Sequence, residues 1–196
     1  MTNIKYFIQS LKKKERLEYI EKNKSIIPEM EIFESINGYD IDATIKNLKN
    51  MKLKYKELKF KTYGTLACFL TKVKAFQYQI KNNIQYMCLI EDDNIIQKGF
   101  KKFIESKLYL LKDCNMLRLS RWGDGYVTSL NGAKNIVENI YKTGIISNID
   151  NQLRTCGEIE VDKTPLRSVC KSNRGDCLQT EKISPIMELK LVNLSY

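Results

Sequence analysis

The stretch Tyr86-Met87-Cys88-Leu89-Ile90-Glu91-Asp92-Asp93-Asn94 (YMCLIEDDN) runs from five apolar or weakly polar residues straight into three consecutive acids. A short, continuous apolar run suits a central strand buried on both faces of a sheet. In open α/β sheets, ligands bind beyond the carboxyl ends of the strands, which is where Glu91, Asp92 and Asp93 then fall. Side chains alternate along a strand, so Glu91 and Asp93 project to one side and Asp92 to the other. Two readings of the acids stand at this point. They hold a hard divalent ion, magnesium or manganese, with positions left for phosphate oxygens. Or they cap a helix formed by the following NIIQKGFKKFIE, because Asp favours the N-cap and the first helical turn carries the positive end of the dipole.

Working outward, Leu66, Phe69, Leu70, Val73, Phe76 and Ile80 recur at spacings of three and four, which predicts a helix just before this strand. IKYFIQSL reads as a first strand, KKKERLEYIEKNKSI as a helix and MEIFESI as a second strand stopped by Asn37-Gly38. Strand, helix, strand is a βαβ unit, and it implies a parallel sheet. Residues 41–61 read as a helix followed by a short strand at Leu58 to Lys61. After the acids, NMLRLS and GYVTSL read as strands around a Gly-Asp-Gly turn, and NGAKNIVENIYK as a helix capped by Asn131. A short helix over Ile149 to Thr155 stops at Gly157, a strand follows at Glu158 to Val161, and weak order is expected after about residue 170. Residues 1–196 are expected to form one α/β domain.

Composition narrows the chemistry. The chain has no histidine, which excludes Ser-His-Asp and Cys-His catalysis and histidine zinc sites. Proton transfer must fall to a carboxylate, Lys, Tyr or Cys. Six cysteines form no C-x-x-C, so a structural zinc site has no support. Cys68 and Cys88 read as reduced core residues, whereas Cys170 and Cys177 are candidates for a loop disulfide. A net charge of +10 favours polyanions, whether nucleic acid, an anionic membrane surface or a phosphorylated substrate, although an ordinary lysine-rich surface also accounts for it. No apolar run approaches the roughly 20 residues of a membrane span. The N-terminus places bases after a short apolar segment, the reverse of a secretory signal, so a cytoplasmic protein, at most peripheral to a membrane, is expected.

Several ordered blocks carry a resemblance. YFIQSLKKKER, IFESINGYD, YGTLACFLTKVKAFQ, YMCLIEDDNII, GYVTSLNGAKNIVE, ISNIDNQL and DKTPLRSV together resemble glycosyltransferase family 25, which includes lipopolysaccharide-biosynthesis transferases and procollagen galactosyltransferases. The blocks run from about residue 4 to about residue 170. The resemblance implies a GT-A-like, Rossmann-like fold: a mixed, mainly parallel sheet flanked by helices. It also implies transfer of a sugar from a nucleotide-sugar donor, usually a UDP-sugar, to a glycan or glycoprotein acceptor, with nucleic acid not expected as a partner. One departure is plain. The family usually has Ser-His where this chain has Thr71-Lys72, so either Lys72 replaces any substrate contact made by that histidine or the function has shifted.

On this resemblance Glu91, Asp92 and Asp93 take the place of an Asp-x-Asp motif. Asp93 and Glu91 are the metal ligands for Mn2+ or Mg2+, and Glu91 and Asp92 also face the donor. The metal acts as a Lewis acid on the diphosphate leaving group. Gln9, Ser10 and Arg16 are donor-binding candidates for uracil or phosphate, Arg16 against a solvated helix residue, and Asn37 and Gly38 wall that pocket. Arg118 and Arg121 are candidates for phosphate, against pairing with nearby acids. If the reaction inverts at the anomeric carbon the acceptor hydroxyl needs a base, for which Asp150 is the leading candidate, against a role as helix N-cap, and Asp124 is second, against an ordinary turn residue. Trp122 is placed to stack on an acceptor sugar, against simple packing. A rival class also stands: a metal-dependent nucleic-acid-binding or nuclease-like protein, kept alive by KLKYKELKFKTY. A third reading is an inactive nucleotide-sugar-binding relative.

Overall fold

The computed structural model describes residues 3–56, 61–120, 123–169 and 180–194. Strand β1 (Ile4–Ser10) leads through α1 (Lys14–Ile26) to β2 (Glu31–Glu34), and α2 (Ile41–Met51) and α3 (Tyr63–Lys81) follow. The decisive stretch forms β3 (Tyr86–Glu91), a two-residue turn at Asp92-Asp93 and a short β4 (Asn94–Ile96). Then come α4 (Phe100–Lys107), β5 (Met116–Arg118), β6 (Gly125–Ser129), α5 (Leu130–Thr143), α6 (Ile149–Arg154), β7 (Glu158–Glu160), β8 (Leu166–Ser168) and α7 (Pro185–Asn193).

Among the described residues one sheet has the order β2-β1-β3-β6-β5-β7, and β4 pairs with β8 in a separate ribbon. β1 runs parallel to β2 and β3, β6 is antiparallel to β3 and β5, and β7 is parallel to β5. All strands of the large sheet but β6 therefore share one direction, and their carboxyl ends form one edge. This is the mixed, mainly parallel α/β sheet that the sequence predicts.

β3 lies in the middle, and its side chains alternate between two apolar layers. Met87 and Leu89 join Phe7 with the residues of α3 and α5 on one face. Cys88 and Ile90 join Tyr6 and Ile8 with residues of α1 and α4 on the other. Covering both faces makes the strand continuously apolar in sequence. The same alternation carries past the end of the apolar run. Glu91 turns towards α3 and Asp92 towards α1, so each meets a different helix.

The acids do not cap a helix. β4 intervenes, and α4 begins after Gly99 with no side-chain cap. α5 starts two residues earlier than its sequence suggests: Ser129 caps it by accepting from the Gly132 N–H, rather than Asn131. α2 is capped by Asp40 and α3 by Thr62, each through its side chain. The strand expected at Leu58 to Lys61 lies mostly outside the described residues. α7, with Ser184 as cap and Pro185 in its first turn, stands where only weak order was expected.

One backbone contact sets the edge above β2. A Cβ on Gly38 would lie 2.4 Å from the Gly64 Cα, so the loop after β2 and the first turn of α3 touch through two glycines. Gly38→Ala is expected to lose about 1–3 kcal/mol in a chemical-denaturation experiment, as overpacking does, by forcing these segments apart.

Candidate functional site

A cavity of about 140 Å³ opens at the carboxyl edge of the sheet. Gln9 and Ser10 from the end of β1 line it, as do Lys13 and Arg16 from the turn and helix that follow. Ser35, Ile36, Gly38 and Tyr39 contribute from the end of β2, and Gly64, Cys68 and Thr71 from α3. Glu91, Asp92 and Asp93 complete it together with Thr180. The acids therefore face the same space as the donor-site candidates Gln9, Ser10, Arg16 and Gly38.

Each acid is held differently. Asp92 accepts a hydrogen bond of 2.5 Å from the Ser10 hydroxyl, whose oxygen in turn accepts from the Lys12 N–H at 2.8 Å. Its other oxygen stands 4.0 Å from the Arg16 Nε. Arg16 is thus tucked against an acid, its side chain only 11% exposed, rather than solvated on its helix. Asp93 accepts from the Asn94 amide at 2.8 Å. Burial pushes its carboxyl up to about 6, with Arg16 opposing and Asp124 and Asp92 adding to the rise.

Glu91 meets a buried cation. Lys72, one helical turn beyond Cys68 on α3, donates to Glu91 Oε1 at 2.7 Å, to Asp150 Oδ1 at 3.1 Å and to the Gly123 carbonyl at 3.3 Å. The Tyr126 hydroxyl donates to the same Asp150 oxygen at 2.7 Å. Burial works against the charge on Lys72, but Asp150 and Glu91 outweigh it and hold the ammonium well above its usual pKa. Burial pushes Glu91 up to about 7, with Lys72 opposing and Asp93 and Asp150 adding to the rise. Asp124 accepts from the Ser120 hydroxyl at 2.9 Å, and burial raises its carboxyl too, with that hydrogen bond and Lys72 opposing.

Five carboxylates, Glu91, Asp92, Asp93, Asp124 and Asp150, thus gather around two cations, Lys72 and Arg16. Among the described residues no three acids or cysteines converge into a ready-made metal cage. A magnesium-like ion needs only one or two carboxylates when phosphate oxygens supply further ligands. The negative excess around Asp93, and the Glu91 oxygen that Lys72 leaves unbonded, fit such an ion.

Other sequence candidates lie elsewhere. Arg118 pairs with Glu158 at 2.9 Å and Glu160 at 2.6 Å on β7, away from the cavity lining. Asn37 is exposed and accepts from the Tyr39 N–H at 3.1 Å, which holds the turn rather than the pocket wall. Asp150 sits in the first turn of α6, but Asn148 occupies the N-cap, so Asp150 is not the cap. Arg121, Trp122, Cys170 and Cys177 lie outside the described residues; within them, Cys68, Cys88, Cys114 and Cys156 form no disulfide with one another. Lys72 lies behind Glu91 and does not line the cavity. In sequence Tyr126 reads only as a strand residue, and no local pattern marks Tyr39 or Thr180 as part of a site. Cys68, Thr71 and Lys72 fall at helical spacing from Gly64, a polar-tolerant face that the apolar periodicity of α3 masks.

In the metal-free protein, Glu91 and Asp93 bind protons more tightly folded than unfolded. The stability this brings is full at acid pH and is lost as pH rises through about 6 and 7. Melting temperature is expected to rise by several degrees from pH 8 to pH 6, and Asp93→Asn is expected to flatten that dependence.

Among solved structures, the chain resembles a galactosyltransferase, LgtC, crystallised in complex with donor and acceptor sugar analogs. The TM-score is 0.53 at 7% identity, covering 98% of this chain and 95% of that one, so the likeness is one of fold. A glycosyltransferase involved in glycosylation of the major capsid of PBCV-1 aligns at TM-score 0.45 and 10% identity, over 90% of this chain and 97% of that one. No curated protein sequence matches this chain. No helix among the described residues is long and apolar enough to cross a membrane. Residues 3–143 match the family described as Glycosyltransferase family 25 (LPS biosynthesis protein). With the GT-A-like sheet and the acids at its edge in place, that match over most of the chain means that the protein belongs to glycosyltransferase family 25 and is a glycosyltransferase.

Proposed function

We propose that this enzyme transfers a sugar from a UDP-sugar to a hydroxyl of a glycan or glycoprotein acceptor, with Mn2+ or Mg2+ held by Asp93 and Glu91. The observation that carries the reading is the meeting of a small-molecule cavity with an acid cluster whose charge exceeds that of its cations. A diphosphate would bring more negative charge to this edge, and a divalent cation held by Asp93 and Glu91 would offset both charges. When bound, the ion supplies Lewis-acid stabilisation of the leaving diphosphate.

Gln9 supports the nucleotide assignment. Its Oε1 is buried and has no hydrogen-bond partner among the described residues, while the residue is 8% exposed and lines the cavity. An unmade buried hydrogen bond costs free energy, and an N–H of uracil is a donor of the right kind. Tyr39, half-exposed and with Lys13 over its ring at 4.8 Å, offers an aromatic surface beside it. Arg16 and Lys13 are the cations nearest the phosphates. Ser10 fixes Asp92, and Gly38 keeps the wall open.

On the acceptor side, Asp150 takes the hydroxyl proton as the acceptor oxygen bonds to the anomeric carbon. The bond from that carbon to the phosphate oxygen breaks, and its electron pair leaves with the nucleoside diphosphate. Asp124, tied to Ser120, is the second candidate for the base. Trp122 is assigned to stacking on the acceptor and Arg121 to phosphate from their places in the sequence alone. A nucleic-acid groove has less support, because the cations that line this cavity are few and the space is small.

Calorimetry with UDP, CDP, GDP and ADP, each with and without Mn2+, tests the donor side. UDP is expected to bind best and more tightly with Mn2+, and Asp93→Asn to cost tenfold or more, about 1.4 kcal/mol, only when Mn2+ is present. Binding of none of these nucleotides, alongside salt-sensitive DNA binding, would sink the proposal. Asp150→Asn is expected to lower kcat about 100-fold or more, as loss of a general base does, with UDP affinity unchanged.

A further inference from the structure

We infer that Tyr126 and Lys72 are positioning residues that grip one oxygen of Asp150, Oδ1, and so aim its other oxygen, Oδ2, at the acceptor hydroxyl; this rests on Asp150 being the base. Both donors converge on Oδ1, the Tyr126 hydroxyl at 2.7 Å and the Lys72 ammonium at 3.1 Å. Among the described residues no other group bonds to the Asp150 carboxylate, and its side chain is 32% exposed, so Oδ2 remains for a substrate hydroxyl. A carboxylate held at one oxygen from two directions keeps a single orientation, and proton transfer requires that geometry before any matching of pKa.

The backbone is shaped for this grip. Gly123 has φ +84°, and a Cβ there would lie 2.5 Å from the Tyr126 hydroxyl oxygen and 2.6 Å from Asp150 Oδ1. Its carbonyl accepts the third hydrogen bond of Lys72. With Glu91, Asp150 and Gly123 all accepting, the three ammonium protons are spent, so Lys72 acts on substrate through Glu91 and Asp150 rather than by contact. The phenol ring of Tyr126 packs in the core. Burial raises the pKa of its hydroxyl, with Lys72 opposing and Asp150 adding to the rise, so it remains a donor.

The test compares Tyr126→Phe, Lys72→Met and Asp150→Asn in the full chain. Kinetics follow UDP release from UDP-galactose and UDP-glucose with added mono- and disaccharides, calorimetry follows UDP with Mn2+, and crystal structures follow the Asp150 side chain. Tyr126→Phe is expected to lower kcat about tenfold or more, in line with a hydrogen bond to a charged group. Donor KM and UDP affinity should not change, and Asp150 should spread over more than one rotamer. Lys72→Met is expected to lower kcat and UDP affinity together, because Glu91 loses its partner as well. A Tyr126→Phe enzyme with kcat within twofold of the parent, or with Asp150 unmoved in the crystal, overturns the grip. If Asp150→Asn retains full kcat, the base assignment fails first; if Asp150→Asn is crippled while Tyr126→Phe is not, only the grip fails. Should no offered sugar be turned over, the Asp150 rotamer in the Tyr126→Phe crystal decides, and should that variant not fold, Gly123→Ala displaces the same oxygen from the loop side.

Discussion

A single buried ammonium ties this site together. Lys72 is 1% exposed, and a charge so placed is costly unless its hydrogen bonds are satisfied and it is paired. Here all three protons find acceptors: an acid from the sheet, an acid from α6 and a loop carbonyl. Removing any one acceptor leaves the cation undercompensated, and removing the cation leaves Glu91 and Asp150 to repel each other. The interaction therefore fixes, relative to one another, three segments that are far apart in sequence: the end of β3, the loop before β6 and the start of α6.

The sheet explains why these segments meet. Because β6 alone is reversed among the strands of the large sheet, its beginning lies at the edge where β1 and β3 end, and Gly125 stands opposite Ile90. The Glu91 N–H donates to the Asp124 carbonyl at 2.8 Å, which extends the pairing one step beyond the ladder. The loop carrying Gly123 and Asp124 is thereby delivered beside the acids. The side-chain period of two then divides labour, with Glu91 facing Lys72 on α3 and Asp92 facing Ser10 and Arg16 on the α1 side. Asp93, in the turn beyond the strand, is held by the Asn94 amide and feels Arg16 against the combined charges of Asp92 and Asp124.

Much of this was legible in the chain. The apolar run before the acids announced a strand covered on both faces, and helical spacing from Leu66 to Ile80 announced α3. Gln9, Ser10 and Arg16 could be placed near the acids because βαβ order puts the ends of β1 and β3 on one edge. What stayed hidden depended on contacts that no local pattern encodes. Tyr126 alternates like any strand residue, and only the antiparallel insertion of β6 brings its hydroxyl to Asp150. Lys72 sits on a helix face that reads as core, where a lysine without its two partners would look like a defect. Arg118 was ambiguous between phosphate and protein acids, and the parallel pairing of β5 with β7, which sets Glu158 and Glu160 beside it, decided for the latter. α7 escaped because its residues are apolar around most of the helix and show no clear stripe.

The central claim is that the excess of acid at the end of β3 is completed by a divalent cation and a nucleoside diphosphate. Anomalous diffraction from crystals grown with UDP and Mn2+ tests it most directly. The account predicts a manganese peak within ligand distance of Asp93, a diphosphate bridging it, and the uracil ring against Gln9. Density for UDP bound outside this cavity, or ordered within it with no manganese beside Asp93, would contradict it.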